Sequence, residues 1–470
     1  MLIKKIIILL LLHSAWISLC AQRHHMMGLL PDDGIYDELP QKAELLTRDY
    51  KTLPSSHSLL KYCPEVKSQN RYGTCAAWAA AYAARTIAEA IRYGWTDKNY
   101  ITKEAFSPAF VYAQVKSRND NDCQNGTHIY KALQLMKTKG VAKYKDFDML
   151  CASNVPSSIL STALRYKIDD FYTLFSMSLV DNNAKVYKVK KALSEDCPVV
   201  IAMHLPSSFD DTGSNWSGLD INPKDHGYHA MCVVGYDDHK NGGAFHIMNS
   251  WGRNWGGDGF VWVSYKHFAK YVDQAYELYV KQRSPQPQPS SEIINKLSGK
   301  VELQLATGEK MVPILGQWNG VWRYKIAGEY VSRTRYRIYI SNMEPAYVYI
   351  IGSDLQNNVS RVFPQDDKIG AALTYKQNHI AIPDERYYIE MDDTRGIDFL
   401  CVFYSSIALD INSIISKIRM SSGSFYEKVK KSLGTKLANQ QEIRFVRNKI
   451  EFHAMTKGTV VPLITEISHI

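Results

Sequence analysis

The chain has no run of about five or six like charges, the pattern that marks a nucleic-acid-binding tail. Its net charge of +9 over 470 residues is dispersed, with Asp and Glu interspersed among Lys and Arg. Such a balance favours solubility, argues against nucleic acid as a partner and gives little pull toward an acidic one. No Cys-x-x-Cys pair is present, so a zinc ribbon lacks its ligands and no metal or other cofactor is expected. Past the extreme N-terminus no apolar stretch reaches the roughly 20 residues of a membrane-crossing helix. No internal repeat is found.

At 470 residues, with 45% apolar and 22% charged side chains, the composition is that of a soluble globular protein of two or three domains. The N-terminus reads as a secretory signal over residues 1–21. Lys4 and Lys5 supply the charged region, Ile6 to Leu12 the apolar one, and Ala21 a small residue before cleavage at Gln22. Lipid attachment at Cys20 is the alternative, but Leu19 stands where a small residue is needed. The mature protein is therefore expected outside the cytoplasm, secreted or periplasmic. Of 8 cysteines, Cys20 leaves with the signal. Cys63, Cys75, Cys123, Cys151, Cys197, Cys232 and Cys401 remain, an odd set that leaves at least one thiol free or paired between chains.

Residues 22–55 form a short mixed extension. A dense Gly-, Trp- and apolar-rich region follows over 56–283. Alternating prolines between Ser284 and Ser291 lock φ and remove backbone donors, so 284–295 reads as an extended linker. Beyond it, over 296–470, the segments Tyr336–Ser341, Ala346–Ile351 and Arg386–Met391 alternate apolar and polar residues, and Phe399–Tyr404 is a continuous apolar run. Period-2 patterning rich in β-branched and aromatic residues predicts a mostly-β, sandwich-like domain. It is interrupted by a helical segment over Asn412–Leu437 and closed by a strand over Thr459–Ile464.

Two segments carry chemistry. From Thr74 to Arg85 the chain is rich in alanine, the best helix former, with Thr74 placed to cap the helix. Cys75 then stands in the first turn, where the helix dipole favours thiolate over thiol, the form that attacks carbonyl carbon. By itself such a cysteine is as readily a small buried apolar side chain. Further on, His229 opens an apolar strand, and Asn249, Ser250, Trp251 and Gly252 precede a second Trp-Gly turn at Trp255. Imidazole can take a thiol proton and return it to a leaving amine, while a neutral amide orients the ring without adding charge. His226 and His246 are expected to be structural.

Together these segments resemble the papain family of cysteine peptidases over about residues 56–283. The resemblance implies an α+β fold of two lobes, a helical lobe bearing Cys75 and a β-barrel-like lobe bearing His229 and Asn249, with peptide substrate between them. It implies Cys75 as nucleophile, His229 as general acid and base, Asn249 as its orienting amide and Trp251 as the indole shielding that bond. Gln69, six residues before Cys75, corresponds to the oxyanion-hole side chain. Cys123 to Thr127 resembles the family's Cys-Asn-Gly-Gly strip, whose backbone at Gly126 and Thr127 pairs with extended substrate. A Cys123–Cys151 disulfide is implied as well. Tyr228, His128 and Ile129 are assigned to the side-chain pocket, and the loop Leu205–Asp225 to one end of the cleft. The chain departs from the family at Tyr72, where a cysteine is frequent, and at Ala76, where an aromatic is frequent.

The expected function is therefore an exported thiol endopeptidase, expected to be a monomer and to act on proteins or peptides. The alternatives are an exopeptidase or acyl-transferring enzyme on the same site, or a silent papain-like scaffold. The C-terminal domain resembles a bacterial β-domain of unknown function and is assigned a binding role toward a surface or protein partner. Only 47 positions separate Gln22 from Gln69. A full inhibitory prodomain does not fit there, so the enzyme is expected not to need prosegment removal.

Overall fold

A computed structural model describes residues 25–31, 34–43, 53–216, 218, 227–281, 294–318, 321–374, 380–382 and 387–470. The signal segment, the proline-rich linker and most of the distal part of the 205–225 loop lie outside these residues. Among them no helix is long and apolar enough to cross a membrane.

The alanine-rich segment is helical from its first residue. Cys75–Ala77 is α, Trp78–Arg85 is wound as a π-helix, and Thr86–Tyr93 is α again. Nothing in the sequence pattern announces the wide winding. Thr74 stands at the N-cap position, but its hydroxyl makes no capping bond and is buried without a partner. Gly94, in the left-handed conformation that glycine adopts without steric cost, ends the helix with its N–H on the Ala90 and Ile91 carbonyls. The helix is fully buried over Cys75–Arg85. Alanines on its surface let neighbouring backbones approach closely.

The helix packs against an eight-stranded sheet: β1 (Ser56–Ser58), β2 (Asp170–Thr173), β3 (Val199–Leu205), β4 (Asn215–Trp216), β5 (Gly227–Asp237), β6 (Ala244–Met248), β7 (Phe260–Ser264) and β8 (Val272–Tyr279). The order is β2-β8-β3-β5-β6-β7-β4, with β1 on β5. β5 is central and antiparallel to both β3 and β6, with His229 opposite Met203. β6 ends at Met248, which delivers Asn249 into the turn beyond. This is the papain-like α+β arrangement of a helical lobe and a β lobe.

Cys123 and Cys151 form a disulfide, with their Cα atoms 5.8 Å apart. Next to it, the Tyr112 hydroxyl donates to Asp120 (2.6 Å) and accepts the Gly126 N–H (2.9 Å). The backbone strip at Gly126 is thus pinned from two sides.

The C-terminal region is β-rich. Among the described residues a seven-stranded sheet is centred on Val460–His469, Gly396–Ser405 and Ala346–Ser353, and a six-stranded sheet on Arg335–Asn342, Asn295–Leu305 and Ile450–Thr456. Leu297, Ile338, Ile350, Val402, Phe452 and Leu463 share one apolar core. The expected helical segment is two helices, Ile411–Met420 and Phe425–Leu433, the second started by a capping box between Ser424 and Glu427. Tyr347, Tyr349 and Phe403 of the seven-stranded sheet share a second cluster with these helices and with Tyr172 and Tyr279 from β2 and β8. The linker therefore joins parts that touch.

The Cys123–Cys151 bridge closes a loop of 28 residues. The chain-entropy relation gives such a loop about 3.6 kcal/mol of stabilisation. Replacing both cysteines by alanine should lower unfolding free energy by about 2–4 kcal/mol in denaturant titration. An unchanged midpoint would mean the bridge constrains nothing that the surrounding packing does not already hold.

Candidate active site

His229 is fully buried at the start of β5, and its Nε2 lies 2.7 Å from Asn249 Oδ1. The same oxygen accepts the Ser250 N–H at 2.7 Å, so it is an acceptor and His229 Nε2 carries the hydrogen. In the neutral ring Nδ1 is then the bare nitrogen, and it is buried with no hydrogen-bond partner. The Cys75 thiol lies against backbone groups of Ala230, the residue after His229. Trp251 stacks on the imidazole, with ring centroids 4.6 Å apart, and covers the His229–Asn249 bond from water. Phe209 and Trp255 support that indole edge-on.

Gln69 is fully buried and tied across the junction of the lobes. Its backbone N–H donates to the Ser250 carbonyl at 2.8 Å. Its Oε1 accepts the Ser250 hydroxyl at 2.6 Å, which turns the amide NH2 toward the cleft. Nothing in the sequence pattern points to Ser250 in this role, because its partner lies 181 residues away.

The cleft is filled by the chain's own extension. Gln69 Nε2 donates to the Met26 carbonyl at 2.9 Å and to the Tyr72 carbonyl at 2.8 Å. His25 stacks on Trp251 at 4.5 Å. Thr127 donates to the Gly28 carbonyl (3.0 Å), Leu30 donates to the Thr127 carbonyl (3.2 Å) and Leu29 donates to the Tyr228 carbonyl (3.4 Å). Leu29 and Thr127 form a parallel bridge. A Cβ on Gly28 would meet the Gly73 carbonyl oxygen at 2.1 Å, and one on Gly126 the Gly28 oxygen at 2.1 Å. Two glycines are needed for backbones to lie this close. Gly126, Thr127, Tyr228 and Trp251 are thus brought together along one groove, and a peptide segment occupies it. Six residues of a short extension thus suffice to cover the groove.

Of the two residues assigned to the pocket after Thr127, Ile129 begins the helix Ile129–Lys139 and is wholly buried in the main core, while His128 is half-buried beside Tyr130. Tyr228 is held by its hydroxyl, which donates to Asp273 at 2.6 Å, and by stacking on His204. His246 is structural as expected, sandwiched against Trp262 and Phe260. His226 lies outside the described residues.

Burial pushes the Cys75 thiol up, outweighing the backbone groups of Ala230, Gly28, Ala76 and Cys75 itself that pull it down. Burial pushes His229 down to about 4, against the Asn249 bond that raises it, and His25 adds to the depression. With the groove covered, burial therefore favours thiol over thiolate and neutral imidazole over imidazolium.

Residues 55–277 match the family described as papain family cysteine protease. The match covers a little under half of the chain, accords with the papain-like fold of that stretch and supports thiol peptidase activity in general. An uncharacterized peptidase C1-like protein of Acanthamoeba polyphaga mimivirus is 25% identical over 252 residues, covering 50% of this chain and 71% of that protein. The gamete and mating-type specific protein A of Dictyostelium discoideum is 24% identical over 214 residues, covering 43% of this chain and 41% of that protein, less than half its length. Among solved structures, xylellain, a cysteine protease from Xylella fastidiosa, aligns with 20% identity and a TM-score of 0.44, over 54% of this chain and 96% of that one.

Two histidines, His229 and His246, are held down to about 4 by burial. The unfolded chain takes up their protons near 6.5, while the folded protein resists until about 4. Their contribution to stability is therefore complete above pH 6.5 and lost as pH falls toward 4. Melting temperature should drop across that window, and drop less in His246→Phe. A profile flat between those limits would contradict the buried neutral state.

Proposed function

We propose that this chain is an exported thiol peptidase that hydrolyses peptide bonds through an acyl-enzyme on Cys75. The observation that carries the reading is the main-chain carbonyl already seated on the Gln69 amide, in the groove where Cys75 and His229 meet. The Cys75 thiol lies against the Gly28 backbone of the same segment, so the sulfur and the Gln69 amide face one peptide.

In this mechanism the Cys75 proton passes to His229 Nδ1 and the sulfur bonds to the carbonyl carbon. The developing oxyanion is held by Gln69 Nε2 and the Cys75 backbone N–H, two fixed donors in a site shielded from water. The imidazolium returns its proton to the departing amine as the C–N bond breaks. Water then attacks the thioester with His229 as base, releasing the carboxylate product and regenerating the thiol. Asn249 keeps the ring's other nitrogen engaged throughout, and Ser250 keeps the Gln69 amide from flipping. Endopeptidase action and export are part of this proposal, supported by the strip at Gly126 and Thr127, which already pairs with an extended internal segment of chain, and by the N-terminal apolar segment. A binding role for the C-terminal domain is likewise proposed, on a face other than the one spent on β2 and β8.

An irreversible epoxide inhibitor of thiol peptidases should label Cys75 in Gly28→Val, whose side chain cannot coexist with the Gly73 carbonyl and so expels residues 25–30. Wild type should label much more slowly, and Gly28→Val/Cys75→Ala not at all. A folded Gly28→Val protein that does not label would favour the silent scaffold instead. On the Gly28→Val background, Gln69→Ala should lower kcat/KM on an internally quenched peptide by about 10²–10³. Ser250→Ala should lower it by about fivefold, the worth of one neutral hydrogen bond. Equal rates on blocked and free-N-terminus peptides would point to endopeptidase action.

A further inference from the structure

The extension that fills the groove does not end there. Tyr36 is fully buried, and its hydroxyl donates to the Ala275 carbonyl (3.2 Å) and accepts the Ala275 N–H (3.0 Å) on β8. Residues 40–43 then run between the peptidase and the C-terminal domain and bond to both. Thr173 donates to the Pro40 carbonyl (3.1 Å), and Lys42 donates to the Thr173 carbonyl (2.8 Å). On the other side, Gln41 donates to the Lys368 carbonyl (2.7 Å) and the Gly370 N–H donates to the Gln41 carbonyl (2.8 Å). Gln41 is bridged in parallel to Thr173 on one flank and to Ile369 on the other.

Side chains repeat the pattern. Lys42 Nζ lies 2.8 Å from Glu195 and 2.5 Å from Glu277, and the far oxygen of Glu277 accepts the Thr374 hydroxyl of the C-terminal domain at 3.2 Å. Ala43 is buried in the apolar core of the C-terminal sheets. Glu38 pairs with Lys368 at 2.9 Å. Gly370 itself has no room for a side chain, since a Cβ there would meet the Tyr172 ring of β2 at 2.4 Å.

The geometry points to the C-terminal domain as the clamp on the groove-filling segment: its 366–374 stretch and the edge strand β2 grip residues 38–43 between them, and this grip holds residues 25–30 over Cys75. The inference rests on the peptidase reading of that site. Its physical basis is a comparison of the two ends of the extension. In the groove residues 25–30 make a few backbone bonds, one bond to the Gln69 amide and one ring stack, and Leu29 is the one large apolar side chain they bury, contacts that local opening can break without unfolding either domain. At 36–43 Tyr36 and Ala43 are buried at the two ends, Lys42 is ion-paired to two carboxylates, and the backbone bonds to both domains. A tethered segment rebinds at high effective concentration, so the strength of the tether sets how long the groove stays covered. The accessory domain is thus a positioning element for the peptidase. Anything that parts its 366–374 stretch from β2 loosens the cover without touching the groove.

The experiment compares the rate of epoxide labelling at Cys75, with hydrogen exchange at Leu29 and Leu30, in the full chain and three variants. Gln41→Pro removes the donor to the Lys368 carbonyl and alters neither domain's core. Gly370→Val forces the C-terminal turn off Tyr172. Gly28→Val empties the groove directly and is the reference for an accessible Cys75. With Gln41→Pro, labelling should rise by about fivefold for one lost backbone bond, with Leu29 and Leu30 exchanging faster by the same factor. Gly370→Val should rise further, toward the Gly28→Val rate. If Gly28→Val labels fast while Gln41→Pro, melting as a folded protein, labels and exchanges as wild type, the clamp is overturned and the peptidase reading stands. If Gly28→Val is folded and unlabelled, both fall. If Gly370→Val unfolds, Gln41→Pro alone decides.

Discussion

Everything proposed for this site depends on how closely one helix can lie against one strand. Cys75 begins a helix and His229 begins β5, and more than 150 residues separate them in sequence. Their side chains can meet only if the helix axis approaches the sheet closely. Alanine at seven of the ten positions from Ala76 to Arg85 permits it, because no large side chain on those positions holds the sheet away. Leucines in the same places would still give a helix and would still bury apolar surface. They would move the thiol away from the imidazole.

The second constraint is water. The same two groups that need solvent or each other to carry charge are buried with residues 25–30 over the groove, and burial, with His25 adding to it at His229, disfavours charge on both. No residue has to be displaced from the catalytic arrangement to keep it idle. The Gln69 amide, the His229–Asn249 bond and the Trp251 cover are all in place under the segment. The arrangement is complete but desolvated, and the difference between covered and open is a matter of which peptide lies on Gly126 and Thr127.

The extension also explains why the two parts of the molecule are not beads on a string. Tyr172, Tyr279 and Tyr347 meet across their boundary in one apolar cluster, and Lys281 donates to the Ser406 carbonyl at 2.9 Å. A proline-rich linker suggested independent parts. Burial of tyrosine faces from β2 and β8 under the C-terminal sheet outweighs that local stiffness, since large aromatic area removed from water dominates such contacts.

Much of this was legible in the amino-acid order. Alanine content announced the central helix, and period-2 runs announced the strands that became the C-terminal sheets. The joint occurrence of Gln69, Cys75, His229, Asn249 and Trp251 pointed to the candidate site through its resemblance to the papain family's motifs. Three things were decided only by the tertiary structure. Ser250 orients Gln69 across a junction 181 residues long in sequence, a hydrogen bond that no local pattern encodes. The extension's place in the groove comes from backbone bonds to Thr127 and Tyr228, which any sequence with glycine at the close approach to Gly126 could make. The grip of the C-terminal domain on Gln41 is likewise made by main-chain atoms. Side-chain identity determined what the site contains. Backbone pairing between distant segments determined what covers it, and backbone groups are the same in every residue except proline.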